Sequence, residues 1–294
     1  MKVAVTGASG LIGTALLPHL RSQGHDVVRF VRGAADAPDE RPWEPSTGTL
    51  DPVHLADVDA VIHLAGAGVA AHRWTTSYKA TILRSRVDGT TAVAAAIAAS
   101  GHPRVLLSSS AVGWYGDTGD RLTDETGSTG HGFLAEVCRE WEAATKEAES
   151  TCRVAHLRTG YVLAKDALGL SKQVAVARLG LGAPLGSGRQ WMSWITLDDE
   201  VRAITHLLAA DVTGPVNLVG PAPVTNRDLT RAVNRAVHRP TFPVSVPALA
   251  LRAGLGPFAQ EGVLIGQRLA PAVLQRAGFT FGHSDIDAAL ASIL

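Results

Sequence analysis

VAVTGASGLIG, residues 3–13, is the stretch that decides the fold. Val3 to Val5 form a short strand-like run of small and β-branched residues. Glycines follow at positions 7, 10 and 13, and a helix pattern opens at Leu11–Ile12. Strand, glycine turn and helix in that order make the first half of a βαβ unit, where such units take a dinucleotide. Gly7 allows the tight turn, Gly10 lets the main chain approach a pyrophosphate, and Gly13 lets the helix pack closely on the strand. Ser9 in the loop and the amides of Leu11 and Ile12 at the helix start are the expected phosphate contacts.

Outward from this turn, apolar runs alternate with helical patterns. A helix from about Leu11 to Gln23 is followed by strand-like runs at 26–32 and 60–66, a helix around 77–99, and strand-like runs at 104–110 and 153–163. Gly24 stands where the first helix should stop, and Gly101–His102–Pro103 ends the long one. This alternation predicts an α/β protein, a Rossmann-type doubly wound parallel sheet. Beyond about residue 165 the rhythm loosens into glycine-rich sequence, with one more strand-like run at 215–220. The expected organisation is a dinucleotide-binding domain over 1–221, with a substrate-side insertion at about 166–195, and a smaller C-terminal substrate domain over 222–294.

The totals agree with a small-molecule protein. At 294 residues and 46% hydrophobic composition the chain can bury a full core. Its 27 basic residues balance 27 acidic ones, so no net field draws nucleic acid or an anionic membrane. Cys138 and Cys152, the only cysteines, form neither a disulfide framework nor a C-x-x-C pair, as expected in a reducing cytoplasm. The eleven histidines show no metal-ligand spacing, so no metal is expected. The N-terminal apolar run is broken by its glycines and does not read as a signal peptide. No uncharged stretch is long enough to span a bilayer. The expected partner is a small-molecule substrate, and a homodimer is left open.

Which dinucleotide binds is read at the end of the second strand. An acid there accepts from a ribose 2′-hydroxyl, and a base pairs with a 2′-phosphate. The strand ends Phe30–Val31–Arg32, with no acid, so Arg32 points to NADP(H). Leu64–Ala65–Gly66, leaving the fourth strand, supply the small residues expected beneath the adenine-ribose half of the cofactor.

TGASGLIG, HLAG, SSSAVGWYG and a late WITLDD, in this order, give the chain its resemblance to the extended short-chain dehydrogenase/reductase superfamily. Within it the chain resembles the epimerase-like branch that carries a small C-terminal domain, through HRWT (72–75), ILRSR (82–86), GFLAEVCREWEAA (132–144), GLGAPLGSGRQWMSWI (180–195) and IGQRLAPAVLQRAGFTF (265–281). The resemblance implies NADP(H) and a nucleotide-sugar-like substrate.

It also implies a Tyr-x-x-x-Lys pair on the helix beginning near Phe133, where lysine lowers the tyrosine pKa and tyrosine moves the substrate proton. Matched on Trp141–Glu142, which stands where the resemblance has a small residue and a glutamate after the lysine, those two positions hold Leu134 and Cys138; a frame shifted by one gives Phe133 and Val137, which serve no better. Leu134, Val137, Cys138, Trp141 and Thr145 repeat at helical spacing and read as packing surface. The one literal match, Tyr161 to Lys165, lies in a strand-like run, where residues four apart are stretched too far to act together. Ser110 or Ser109 is expected to face the substrate, with Ser108 at the cofactor and Tyr115 as candidate proton carrier. Arg189, Trp191 and Trp194 suit a ligand that is anionic and contains a ring. The expected function is NADP(H)-dependent hydride transfer on a nucleotide sugar or related carbonyl or alcohol compound. The absent pair keeps open an NADP(H)-binding sensor with little turnover, and a simple carbonyl reductase is a third reading.

Overall fold

A computed structural model describes residues 1–294. The first half runs β1 (Lys2–Thr6), α1 (Leu11–Ser22), β2 (Asp26–Arg32), β3 (Glu40–Trp43), β4 (Ala60–His63), α2 (Thr76–Ser100), β5 (Val105–Ala111), α3 (Phe133–Ala143) and β6 (Arg153–Thr159). Then come β7 (Tyr161–Leu163), α4 (Leu168–Arg178), β8 (Trp191–Met192), β9 (Trp194–Thr196), α5 (Leu197–Ala209), β10 (Gly214–Leu218), β11 (Val224–Thr225) and α6 (Asn226–Ala236). Four helices close the chain: α7 (Ala248–Leu255), α8 (Phe258–Gly262), α9 (Ala272–Arg276) and α10 (Ile286–Ile293).

Seven strands form one sheet in the order β10-β6-β5-β4-β1-β2-β3. The pairings of β1 with β2 and β4, of β2 with β3, and of β4 with β5 are all parallel. The order reverses between β1 and β4, which is the switch point of a doubly wound sheet. The central strands are buried along nearly their whole length, as parallel strands covered on both faces must be. Ala4, Val28, Val61 and Leu106 pack with Val93 and Ile97 of α2 in the main core. The helix stops behave as the sequence predicts: Gly24 takes φ +79 after α1, and Gly101, at φ +61, is the left-handed cap of α2. β3 escaped the sequence pattern because ERPW carries two charges and a proline, which suits only a sheet edge.

The chain divides into two compact units: 1–111, 136–158 and 201–216 form one, and 112–135, 159–200 and 217–294 form the other. They do not coincide with the expected break at 221–222. The reason lies in the second unit's own hydrogen bonds, which tie the segments after β5 and β6 to the tail. Thr123 N donates to Arg268 O, Gln267 N to Trp191 O, and Leu269 N to Ser193 Oγ. No helix is long and apolar enough to cross a membrane.

Candidate functional site

The turn after β1 is built from main-chain atoms. Gly7 holds φ +66, and a Cβ there would lie 2.7 Å from the Leu64 carbonyl carbon. A Cβ on Gly13 would overlap Gly7 O and come within 2.8 Å of Ala8 Cα, so α1 rests directly on the turn. Gly10 is the N-cap of α1, with no side-chain cap and no acidic residue in the first turn. That leaves amides at Leu11 and Ile12 facing out beside exposed Ser9, a donor set that fits a pyrophosphate. Arg32 is exposed at the end of β2, with no acid on that strand's exit, while Glu44, just past β3, is the carboxylate that feels its charge. These residues therefore fit a dinucleotide carrying a 2′-phosphate.

Leu64–Ala65–Gly66 leaves β4 directly beneath this turn. Thr6 Oγ1 accepts from Leu64 N at 3.1 Å and from Ala65 N at 3.3 Å, and it meets His63 Nδ1 at 2.7 Å. The other ring nitrogen of His63 meets Thr90 Oγ1 at 3.1 Å. Full burial pushes His63 down to about 4, so it stays neutral and serves as a fixed strut.

Around β5 and α3 the side chains carry the arrangement. Cys138 is buried, its thiol donates to Ala111 O at 3.5 Å, and burial together with Glu142 pushes it up to about 11. It is no nucleophile. Ser110 Oγ donates to Glu142 Oε1 at 2.6 Å, and Arg158 grips the same carboxylate with Nε and Nη2, each at 2.8 Å. All three side chains are buried. His156 stands 3.9 Å from Glu142 and meets Thr145 Oγ1 at 2.9 Å. Ser110 is thus committed inward, and Ser108, fully buried with an unpartnered Oγ, lies inside the sheet rather than at a cofactor surface. Alternation along β5 sends Ser109 to the opposite face, half-buried and without a hydrogen bond, which makes it the serine open to a ligand. Nothing local in the sequence marks the partners that reach Glu142 from β5 and β6.

The second unit corrects two expectations. Tyr115 is buried at 4% exposure, and its hydroxyl donates to Asn217 Oδ1 at 2.7 Å. Asn217 in turn donates to Ala270 O and, through its amide, to Glu125. Tyr115 packs with Val219 and Leu269, so it is a core residue and not a proton carrier. Trp194, expected to stack on a ligand, is 1% exposed with Nε1 bound to Ala222 O. Trp191 remains half-buried, donates to Asp120, and carries the Arg268 guanidinium 4.3 Å from its ring centre. Arg189 stays exposed. Tyr161 lies on β7 with its hydroxyl driven well above the usual phenol range by burial, so it is not the acid of a Tyr-x-x-x-Lys pair. Glu200, fully buried and bonded to Thr159 Oγ1 at 2.8 Å, is pushed up to about 8 by desolvation.

Set beside known proteins, residues 3–220 match the profile of the NAD dependent epimerase/dehydratase family, and residues 246–293 match a domain of unknown function, DUF1731. The chain is 49% identical over 290 residues to the epimerase family protein Mb2239 of Mycobacterium bovis, covering 98% of this chain and 96% of that one. Among solved structures, human epimerase family protein SDR39U1 crystallised with NADPH superposes with a TM-score of 0.90 at 29% identity, over 100% of this chain and 99% of that one. A nucleoside-diphosphate sugar epimerase from Corynebacterium glutamicum gives a TM-score of 0.81 at 36% identity, over 100% of this chain and 58% of that one.

Proposed function

Since the chain belongs to the NAD dependent epimerase/dehydratase family, we propose that it binds NADP(H) and carries out reversible hydride transfer on a nucleotide sugar or a related small carbonyl or alcohol compound. The observation that carries the cofactor choice is the exposed Arg32 at a β2 exit without an acid, next to an uncapped α1. The human relative was crystallised with NADPH, and the Corynebacterium neighbour is described as a nucleoside-diphosphate sugar epimerase, which supports the two halves of the reading.

When bound, NADP(H) supplies a hydride donor or acceptor. The protein's own contribution is positional. The amides of Leu11 and Ile12 with Ser9 hold the pyrophosphate, and Arg32 holds the 2′-phosphate. Ser109 meets the reacting oxygen of the substrate, while Glu142 and Arg158 fix Ser110 and the end of β5 beneath it. No tyrosine stands on α3, so the proton on the substrate oxygen passes to ordered water at Ser109. That arrangement gives turnover lower by about 10²–10⁴ than a positioned acid would.

A specific observation also favours the sensor reading, an NADP(H)-binding protein with little turnover. The Tyr and Lys positions hold Leu134 and Cys138, and the thiol is locked on Ala111 O. Titration of the purified protein with NADPH and NADH, followed by NADPH oxidation with a panel of nucleotide sugars and small carbonyls, separates the readings. Tight NADPH binding with turnover on any panel member supports the enzyme, and tight binding without turnover supports the sensor. In Arg32→Ala the preference for NADPH over NADH falls by roughly tenfold or more. An unchanged preference removes the basis for the cofactor choice.

A further inference from the structure

α3 lacks the lysine that the resemblance assigns to position 138, but the space beside Cys138 is not without a positive charge. Arg86, on α2, runs back toward the helix N-terminus and donates from Nη1 to Ile82 O and to Ala67 O, both at 3.0 Å. Its guanidinium carbon lies 4.8 Å from the centre of the Trp141 ring on α3. A Cβ on Gly66 would sit 3.5 Å from Arg86 Cγ and Cζ, so the side chain lies against the exit of β4. Burial lowers its pKa and the neighbouring Cys138 opposes that shift, so a charge is held here at a cost in solvation. No carboxylate pairs with Arg86, and its Nε and Nη2 bond no protein atom. A cation fixed by carbonyls and an aromatic face, with donors left over, is a site for an external acceptor.

The strand order says which acceptor. β2, ending at Arg32, stands on one side of β1, and β4 and β5 stand on the other. A dinucleotide whose pyrophosphate rests on the turn after β1 and whose adenosine 2′-phosphate meets Arg32 has to lay its other half over the exits of β4 and β5, so the expectation that Leu64–Ala65–Gly66 lies beneath the adenine-ribose half is revised: that exit stands on the side of β1 away from Arg32. Arg86 lies there: it touches Gly66 and Ala67 after β4, and its neighbour Cys138 bonds Ala111 at the end of β5.

We propose that Arg86 binds the nicotinamide mononucleotide half of NADP(H), donating from Nε and Nη2 to its ribose and phosphate oxygens and supplying from α2 the positive charge that α3 lacks. The proposal rests on the reading that the chain binds NADP(H). It also gives the apolar face of α3 a purpose, since Trp141 sets its ring against the Arg86 guanidinium.

The test is a comparison of dissociation constants by calorimetry for two probes, NADPH and adenosine 2′,5′-bisphosphate, which lacks the nicotinamide mononucleotide half. The variants are wild type, Arg86→Met and Arg86→Lys. Arg86→Met weakens NADPH by roughly ten- to a hundredfold while leaving adenosine 2′,5′-bisphosphate unchanged, and Arg86→Lys recovers part of the loss. Retained binding of the shorter probe also shows that the variant is folded. Unchanged NADPH affinity in Arg86→Met overturns the proposal, as does an equal loss for both probes, which would place the effect on the fold or on the adenosine side. Wild type that binds neither probe rejects the NADP(H) reading itself and this assignment with it.

Discussion

The turn after β1 and the part of α3 from Glu136 onward belong to the same unit and serve the same expected chemistry, yet one is made of backbone and the other of side chains. The turn works through φ at Gly7, the missing Cβ at Gly13 and the free amides of α1. Any residue type that preserves those features preserves the function, so the glycine spacing records it faithfully. α3 works through what its side chains reach. At the positions where the resemblance expects an acid/base pair it presents Leu134 and Cys138, while one turn on Glu142 is enclosed by Ser110 and Arg158. A helix can exchange its chemistry this way at little structural cost, because the fold needs only that the face be packed. Main-chain sites are hard to change without loss of the fold, and side-chain sites change freely around a preserved fold.

The strongest way to break this comparison is Gly13→Val. The new side chain would overlap Gly7 O and the Ala8 backbone, which cannot move aside as a flexible side chain can. The expected result is a loss of about 3 kcal/mol or more together with loss of NADPH binding. Near-native urea denaturation with intact binding would show that the turn is not the rigid element described. Next in size is Arg158→Met, which leaves Glu142 buried without its cation. It should cost about 3–5 kcal/mol in urea denaturation, and adding Glu142→Gln should recover much of that, because an uncompensated buried charge is worse than no charge. A loss well under 1 kcal/mol, or no recovery in the double variant, would mean the network does not hold α3.

The third test sharpens the contrast through pH. His63, the one titratable strut beneath the glycine turn, sits at about 4 in the fold against 6.5 for a free histidine. Between those values the unfolded chain binds the proton and the folded chain does not, so stability falls as pH drops from about 6.5 to about 4. This group alone accounts for about 3 kcal/mol over that window. Glu200 works in the opposite direction, since its raised value makes the folded chain hold a proton up to about 8 and lose stability as pH rises toward that value. A ring-proton NMR titration isolates His63, which should remain neutral at pH 5. Protonation near 6.5 would show that water reaches it.

Legibility in the sequence followed the same division. VAVTGASGLIG, the stops at Gly24 and Gly101, and the alternation through β6 were readable because each depends on near neighbours in the chain. β3 was not, since an edge strand of four polar and bulky residues has no periodic signature. Arg86 stood in plain view within ILRSR, but nothing nearby in sequence says that its guanidinium ends against Gly66 and Trp141. Tyr115 looked like a proton carrier because it follows the serines on a turn. Its hydroxyl is instead taken by Asn217, 102 positions away.

The sequence by itself determined the doubly wound sheet, the glycine turn after β1, the basic exit of β2 and the absence of a tyrosine on α3. These rest on local conformation, on residue type and on periods of two and 3.6 that any reader of the chain can count. Only the tertiary structure decided which serine is open, that Ser110 answers to Glu142 and Arg158, that Trp194 is core, and that a lone cation from α2 fills the place beside Cys138. Those facts depend on which side chains meet across strands and helices far apart in the chain, and on which polar groups find partners once water has been excluded.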